Sequence, residues 1–87
     1  MTVKEFLEKQ DNNINIKVYQ PPIKEIDSCK ALVKRYEGAI WVALNSNRNY
    51  LKYELEHYYT ENGILTIICK ASREQEMETI NAYYDGR

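Results

Sequence analysis

A chain of 87 residues with a formal net charge of −1 has the size of one small domain, and it carries no global field that would attract nucleic acid or an acidic membrane. Hydrophobic residues make up 44% and charged residues 29%, which is too apolar for a disordered chain. No stretch approaches the roughly 20 apolar residues that span a bilayer, and the opening residues do not resemble a signal peptide. We therefore expect one cytoplasmic domain over residues 1–87.

The first predicted elements are a short helix and a strand. Thr2 and Glu5 form a capping-box pattern, which predicts a helix over residues 3–10. Residues 14–20 alternate with period two, so that isoleucine and valine face inward and Lys17 and Tyr19 face outward. This pattern predicts a half-buried strand that ends at the two prolines after residue 20.

Residues 28–37 favour a second helix over a strand. Their apolar side chains have the spacing i, i+3, i+4 and i+7, at Cys29, Leu32, Val33 and Tyr36. A strand would place lysine and apolar residues on the same face. Gly38 suits the position that follows a helix C-terminus. The two cysteines, Cys29 and Cys69, are predicted to be buried thiols in a reducing compartment.

The second half of the chain predicts three strands and a last helix. Residues 39–44 are continuously apolar, which indicates a central strand buried on both faces. Asn62-Gly63 indicates a hairpin between residues 50–60 and 64–69. We favour a three-residue loop, because it pairs Tyr59 with Leu65, His57 with Ile67 and Leu55 with Cys69, and so keeps glutamate off the apolar face.

A second capping-box pattern, at Ser72 and Gln75, predicts a helix over residues 73–84. The predicted fold class is therefore α+β, with a three- to four-stranded, mainly antiparallel sheet and helices packed on one face. The element order is α-β-α-β-β-β-α.

Motifs for catalysis, metal binding or cofactor binding are missing from the sequence. Glycines stand only at 38, 63 and 86, so there is no phosphate-binding loop, and no paired-cysteine or zinc-protease pattern occurs. His57 and Cys69 share a face in the favoured register, and such a pair can form a nucleophile, or a zinc site with Cys29. A histidine packed beside a buried thiol explains the pattern more simply. We predict no enzyme, no cofactor and no metal.

Acidic and aromatic residues indicate a surface that binds another protein. Residues 54–87 carry seven acidic side chains against three basic ones. The chain has eight tyrosines, and four of them are too many for one thin core: Tyr50, Tyr53, Tyr58 and Tyr59. An exposed tyrosine-rich sheet face suits a protein partner or a homodimer. The predicted partner-binding residues are Glu54, Glu56, Glu74, Glu78, Tyr50, Tyr53 and Tyr58.

The alternative is a small nucleic-acid-binding protein that uses a basic and aromatic sheet face. Cations on phosphates and rings on bases hold single strands in this way. The residues that predict this function are Arg48, Tyr50, Lys52 and Tyr53, with Lys17 and Tyr19 as a further pair. Glu54 and Glu56 follow immediately and would repel phosphate.

The residues Thr2-Val3-Lys4-Glu5-Phe6-Leu7, the strand that follows them and the hairpin over residues 55–69 resemble short, uncharacterised phage or prophage proteins of low-GC bacteria. The shared pattern is structural and assigns no functional residue. The resemblance implies a mobile-element context, in which small proteins are often stoichiometric binders of host machinery, including inhibitors of CRISPR–Cas defence. A non-catalytic module that binds a host or defence protein is therefore our leading hypothesis.

Overall fold

The computed structural model describes residues 1–28 and 31–85 and has an α+β fold. Its elements in chain order are α1 (Val3–Leu7), β1 (Asn15–Gln20), β2 (Val33–Ala39), α2 (Ile40–Leu44), a 3-10 turn (Asn49–Lys52), β3 (Glu54–Glu61), β4 (Ile64–Lys70) and α3 (Arg73–Asp85). The four strands form one sheet in the order β2-β1-β4-β3. The central pair, β1 and β4, is parallel and the two outer pairs are antiparallel, so the predicted fold class is confirmed.

Both predicted capping boxes are present. The Thr2 hydroxyl accepts from the Glu5 N–H at 3.2 Å, and the Glu5 carboxylate accepts from the Thr2 N–H at 2.9 Å. Ser72 and Gln75 make the same reciprocal pair at the start of α3. These bonds satisfy N–H groups that the first turn of a helix leaves free. None of the helices in the described residues is long and apolar enough to cross a bilayer.

The core lies between one face of the sheet and the helices. Ile16 and Val18 of β1 stand beside Leu65 and Ile67 of β4, and all four are buried. The helical residues packed against them are Val3, Phe6 and Leu7 of α1, Ile40 and Ala43 of α2, and Tyr50 and Leu51 of the 3-10 turn. Burial of this apolar surface is the main favourable term in folding, at about 25 cal/mol per Å².

The predicted helix over residues 28–37 is wrong, because residues 33–39 form β2. The cause is a β-bulge at Arg35. Val18 faces Tyr36, whereas Tyr19 faces Lys34, so Arg35 has no opposite residue. The extra residue shifts the alternation of side chains along β2, so that apolar residues before and after Arg35 in the sequence both face the core. Cys29, the first residue of the predicted apolar stripe, lies outside the described residues.

The predicted central strand over residues 39–44 is also wrong, because residues 40–44 form the helix α2. Ile40 and Ala43 point into the core at helical spacing, whereas Trp41 is 53% exposed. Ile40 and Trp41 donate their N–H groups to carbonyls of Ile14 and Asn12. These bonds hold α2 against the turn before β1, and the central positions of the sheet belong to β1 and β4.

The hairpin is confirmed, but its loop has two residues instead of three. Asn62 and Gly63 have φ angles of 53° and 77°, the positive values that a type I′ turn requires. Glu61 therefore faces Ile64, and Tyr58 faces Ile67. A register shift at Glu56 then restores the predicted Leu55–Cys69 pair. Because of this second bulge, Leu55 and not Glu56 pairs with Cys69, so a two-residue loop is compatible with an apolar core face.

Candidate binding face

The second face of the sheet holds none of the core residues. Because paired residues on neighbouring strands point to the same side, the register aligns two rows of side chains there. One row is Glu37, Lys17, Thr66 and Tyr59, and the other is Lys34, Tyr19, Ile68 and His57. We call these eight residues the open face, since the helical residues of the core pack on the opposite side of the sheet.

The middle of the open face is aromatic and apolar. Ile68 stands between Tyr19 on one side and His57 on the other, and Tyr59 lies in the adjoining row. The rings of His57 and Tyr59 are tilted, with centroids 5.9 Å apart. Tyr59 is 42% exposed. A tyrosine presents a large contact area at a small loss of side-chain entropy, which suits a recognition surface.

Charged residues border this centre on the β2 side. The Glu37 carboxylate lies 2.6 Å from the Lys34 ammonium group and 3.9 Å from that of Lys17. Hydrogen bonding and charge attraction from Lys34 lower the pKa of Glu37, and Glu37 in turn raises the pKa of Lys34. All three side chains remain solvent-accessible, so the ions form a polar rim that adds little to stability.

Two of the predicted binding residues, Tyr50 and Tyr53, are buried in the core. The Tyr53 hydroxyl hydrogen-bonds the Thr79 hydroxyl of α3, and the Tyr50 ring stacks on Tyr36. Burial raises the pKa of both phenols. Their placement on a protein-binding or nucleic-acid-binding surface is therefore wrong. Arg48 and Lys52 are exposed beside them, but without the rings they form no stacking platform.

Tyr58, the third predicted tyrosine, is 52% exposed but lies on the core side of β3. Its ring packs on Phe6 of α1, with centroids 4.6 Å apart. Tyr59, which we predicted to face the core beside Leu65, lies on the open face because the loop is one residue shorter. The outward directions predicted for Lys17 and Tyr19 agree with the register.

The four predicted acidic residues do not form one patch. Glu54 and Glu56 line a groove of about 580 Å³ at the start of α3, together with Lys70 and Gln75. Glu54 also accepts a hydrogen bond from the amino group of Met1 at 2.6 Å. The groove is thus of mixed charge. Glu74 and Glu78 are exposed on α3 and are not among its lining residues.

His57 and Cys69 point to opposite faces of the sheet, which contradicts the face that we predicted for them to share. His57 pairs with Ile68 on the open face, whereas Cys69 is fully buried on the core face. Burial raises the pKa of Cys69 to about 12. A thiol in this state is a poor nucleophile. Within residues 1–28 and 31–85, no three metal-binding side chains come together.

Cys69 is therefore expected to be unreactive in the folded protein. In a Cys29→Ser background, the thiolate fraction at pH 8 should be about 1,000-fold smaller in the native than in the unfolded chain. Ellman's reagent should label Cys69 negligibly in buffer and stoichiometrically in about 8 M urea, which unfolds the chain. Stoichiometric labelling of the native protein within minutes would contradict this assignment of Cys69 to the core.

The residue types alone do not predict which side chains lie together on the open face. The strand pattern of β1 indicated Lys17 and Tyr19, but Lys34 and Glu37 were predicted on a helix, and the favoured hairpin register turned Tyr59 and His57 toward the core. A two-residue loop, which Asn-Gly by itself favours, was the signal that could have placed Tyr59 and His57 together on this face.

Comparison of the chain with models of protein families, with curated proteins and with solved structures finds no match. The geometry of the open face is therefore the basis on which a function can be inferred.

Proposed function

We propose that this protein is a non-catalytic binding module that recognises another protein through the open face. The observation that carries the proposal is the cluster of Tyr19, His57, Tyr59 and Ile68 on a sheet face that the helical core does not use. An apolar and aromatic centre with a charged rim is the usual anatomy of a protein interface. The buried, weakly acidic thiol of Cys69 supports a non-catalytic role.

The area of the open face limits the size of the interface that one copy can form. Strands lie about 4.8 Å apart and rise about 3.3 Å per residue, so four strands of five residues present about 300 Å². A standard interface buries about 800 Å² on each partner. The open face of one copy therefore supports a modest contact, in which most of the affinity comes from the tyrosines at its centre.

The resemblance to small phage proteins suggests where to search for the partner. Host enzymes and defence proteins of low-GC bacteria, including CRISPR–Cas effectors, are the targets on which such proteins commonly act. The proposal for the surface does not depend on this choice. It requires only that the bound molecule is a protein and that the complex involves Tyr19 and Tyr59.

The test is capture of the partner from a lysate of a low-GC bacterium, with and without nuclease, using tagged wild-type protein and the variant Tyr19→Ser/Tyr59→Ser. Loss of a central interface tyrosine typically costs about 2 kcal/mol, which is about 30-fold in affinity. We expect a stoichiometric, nuclease-resistant protein on the wild type and at least tenfold less of it on the double variant.

Tyr83→Ser is the matched control, because Tyr83 is 57% exposed on α3 and lies away from the open face. It makes the same change from tyrosine to serine outside the open face, and this variant should capture the partner as the wild type does. Equal capture by the wild type and the double variant would contradict the proposed surface. Equal loss in the double variant and the control would show non-specific adhesion to tyrosine.

The alternative function, single-stranded nucleic-acid binding, is favoured by one observation: lysines 17 and 34 flank Tyr19 on the open face. In this alternative, bases would stack on Tyr19 and Tyr59 instead of on the Arg48–Tyr53 segment that the sequence pattern predicts. Glu37 neutralises both lysines, which weakens this alternative. Binding of a fluorescent oligonucleotide that weakens at least tenfold between about 50 and 200 mM salt would support it. An absence of binding at low salt would exclude it.

A further inference from the structure

The outer edge of β3 is divided into a covered and an uncovered part. Beside the start of β3, the N-terminal residues pair with the strand: the Val3 N–H donates to the Tyr53 carbonyl at 2.9 Å, and the Leu55 N–H donates to the Met1 carbonyl at 2.8 Å. Thr2 and Glu54 form an antiparallel bridge between these bonds. Beyond the bulge at Glu56, no other strand of the described sheet lies beside residues 57–61.

The hairpin turn determines which backbone groups face this uncovered edge. Glu61 and Ile64 close a two-residue loop, so they are a hydrogen-bonded pair. Hydrogen-bonded and non-bonded pairs alternate along an antiparallel ladder. Tyr59 and His57 therefore bond to β4, and the N–H and C=O groups of Tyr58 and Thr60 point outward. The bulge reverses this alternation, which is why the Leu55 N–H also points outward and reaches Met1.

Residues 57–61 are complementary to themselves in the antiparallel direction. With a two-fold axis through Tyr59, Tyr58 of one copy faces Thr60 of the other, and both have outward backbone groups. Each of the two Tyr58–Thr60 pairs would exchange two hydrogen bonds, so that the edge gains four bonds. The same alignment places His57 opposite Glu61 twice, on the side of the open face. A proton-donating imidazole thus meets a carboxylate.

We propose that residues 57–61 of β3 pair with the same segment of a second copy, which forms a homodimer with a continuous eight-stranded sheet. Within the described part of the chain, neither His57 nor Glu61 belongs to an ion pair, so both are available across the edge. A two-fold axis through Tyr58 would instead require the bulged Glu56 to face Thr60. The axis through Tyr59 uses only the regular part of the strand.

The dimer would join two open faces into one surface of about 600 Å², which is nearer to the size of a standard recognition surface. A pair of five-residue strands buries little area itself, so the association is weak and depends on concentration. Exposed strand edges usually carry charges or bulges that prevent such pairing. Here the bulge and the N-terminal residues protect the first part of the edge only.

The test is sedimentation velocity of the purified protein from about 10 µM to about 1 mM, a range suited to weak complexes. The expected result is a shift from the 10.3 kDa monomer to twice that mass as the concentration rises. Thr60→Pro removes one outward N–H group but no bond to β4, and should remain monomeric throughout. Thr60→Val keeps the N–H group and should form the dimer like the wild type. Far-UV circular dichroism checks that both variants fold.

A charge exchange tests the register. His57→Glu places two carboxylates opposite each other in each pair, and should weaken the dimer at least tenfold. Adding Glu61→Lys to this variant restores opposite charges and should recover dimerisation. A wild type that stays monomeric to about 1 mM, or a folded Thr60→Pro variant that still dimerises, would overturn the proposal. So would a charge exchange that fails to recover the dimer. None of these outcomes involves the binding partner, so capture through Tyr19 and Tyr59 is tested separately.

Discussion

Gly38→Ala is expected to destabilise the fold by about 2–3 kcal/mol, through backbone strain together with overpacking. Gly38 has a φ angle of 155°, which side chains with a Cβ rarely adopt. A Cβ atom there would lie 2.7 Å from the hydroxyl oxygen of Tyr36. That hydroxyl cannot move freely, because it donates to the Ala39 carbonyl at 2.7 Å and the ring stacks on Tyr50. Urea unfolding followed by far-UV circular dichroism measures the effect.

Gly63→Ala is the matched control for this substitution. Gly63 also has a positive φ angle, of 77°, but no atom lies within 4 Å of the position where its Cβ would stand. It should therefore show the cost of backbone strain alone, about 1 kcal/mol. Equal destabilisation by the two substitutions would show that Tyr36 is not the obstacle. Combining Gly38→Ala with Tyr36→Ala should recover part of the packing cost.

Asp27→Ala is expected to cost about 3 kcal/mol, because it leaves a partly buried arginine without its counter-ion. The Asp27 carboxylate accepts from the Arg35 guanidinium at 2.6 and 3.2 Å and from the Ile23 N–H at 2.8 Å. Arg35 also donates to the buried Gln20 side chain at 2.9 Å. These contacts connect the bulge of β2 to the segment that follows β1. Urea unfolding at pH 7 measures the loss.

The same carboxylate should make stability depend on pH. Burial acts to raise the pKa of Asp27, but hydrogen bonds from Arg35 and Ile23 outweigh it and the pKa is lowered. A lowered pKa in the folded state means that the stabilisation is complete above about pH 4, the ordinary value, and is lost as the pH falls through the folded-state value. Asp27→Asn should therefore flatten the acid side of the stability profile.

Glu37→Gln is the control for both effects of Asp27. It removes an equally close ion pair, with Lys34 at 2.6 Å, but one that is exposed to solvent on both sides. Its expected cost is below about 0.5 kcal/mol. If Asp27→Ala proves no more destabilising than Glu37→Gln, the hydrogen bonds between Asp27 and Arg35 do not stabilise the bulge of β2.

Bulges explain two errors of the sequence-based prediction, the helix predicted in place of β2 and the three-residue hairpin loop. A period-two pattern assumes that every residue has one partner, and an extra residue at Arg35 or Glu56 breaks that assumption. At Arg35 the broken alternation resembled a helical stripe, and the whole strand was missed. At Glu56, a regular strand with a two-residue loop would pair this glutamate with Cys69, and for that reason the pattern favoured a longer loop. Neither bulge contains a glycine or another residue that would mark it in the sequence.

Features with a local cause could be predicted from the sequence. The two capping boxes, the alternation of β1, the Asn-Gly hairpin and the last helix each depend on residues within a few positions of one another. With the apolar content of the chain, these elements were enough to predict an α+β domain with a mainly antiparallel sheet. Local hydrogen bonding and side-chain spacing are the physical reasons, and neither needs distant partners.

The tertiary structure decided the identity of β2 and α2 and the composition of the open face. Residues 40–44 have the composition of a strand, but β1 and β4 pair with each other in the middle of the sheet and leave no central position for them. The packing of helices and the strand register leave Tyr50 and Tyr53 buried, Tyr19 half-buried and Tyr59 exposed. Tyrosine fits both environments, and only contacts between distant parts of the chain distinguish them.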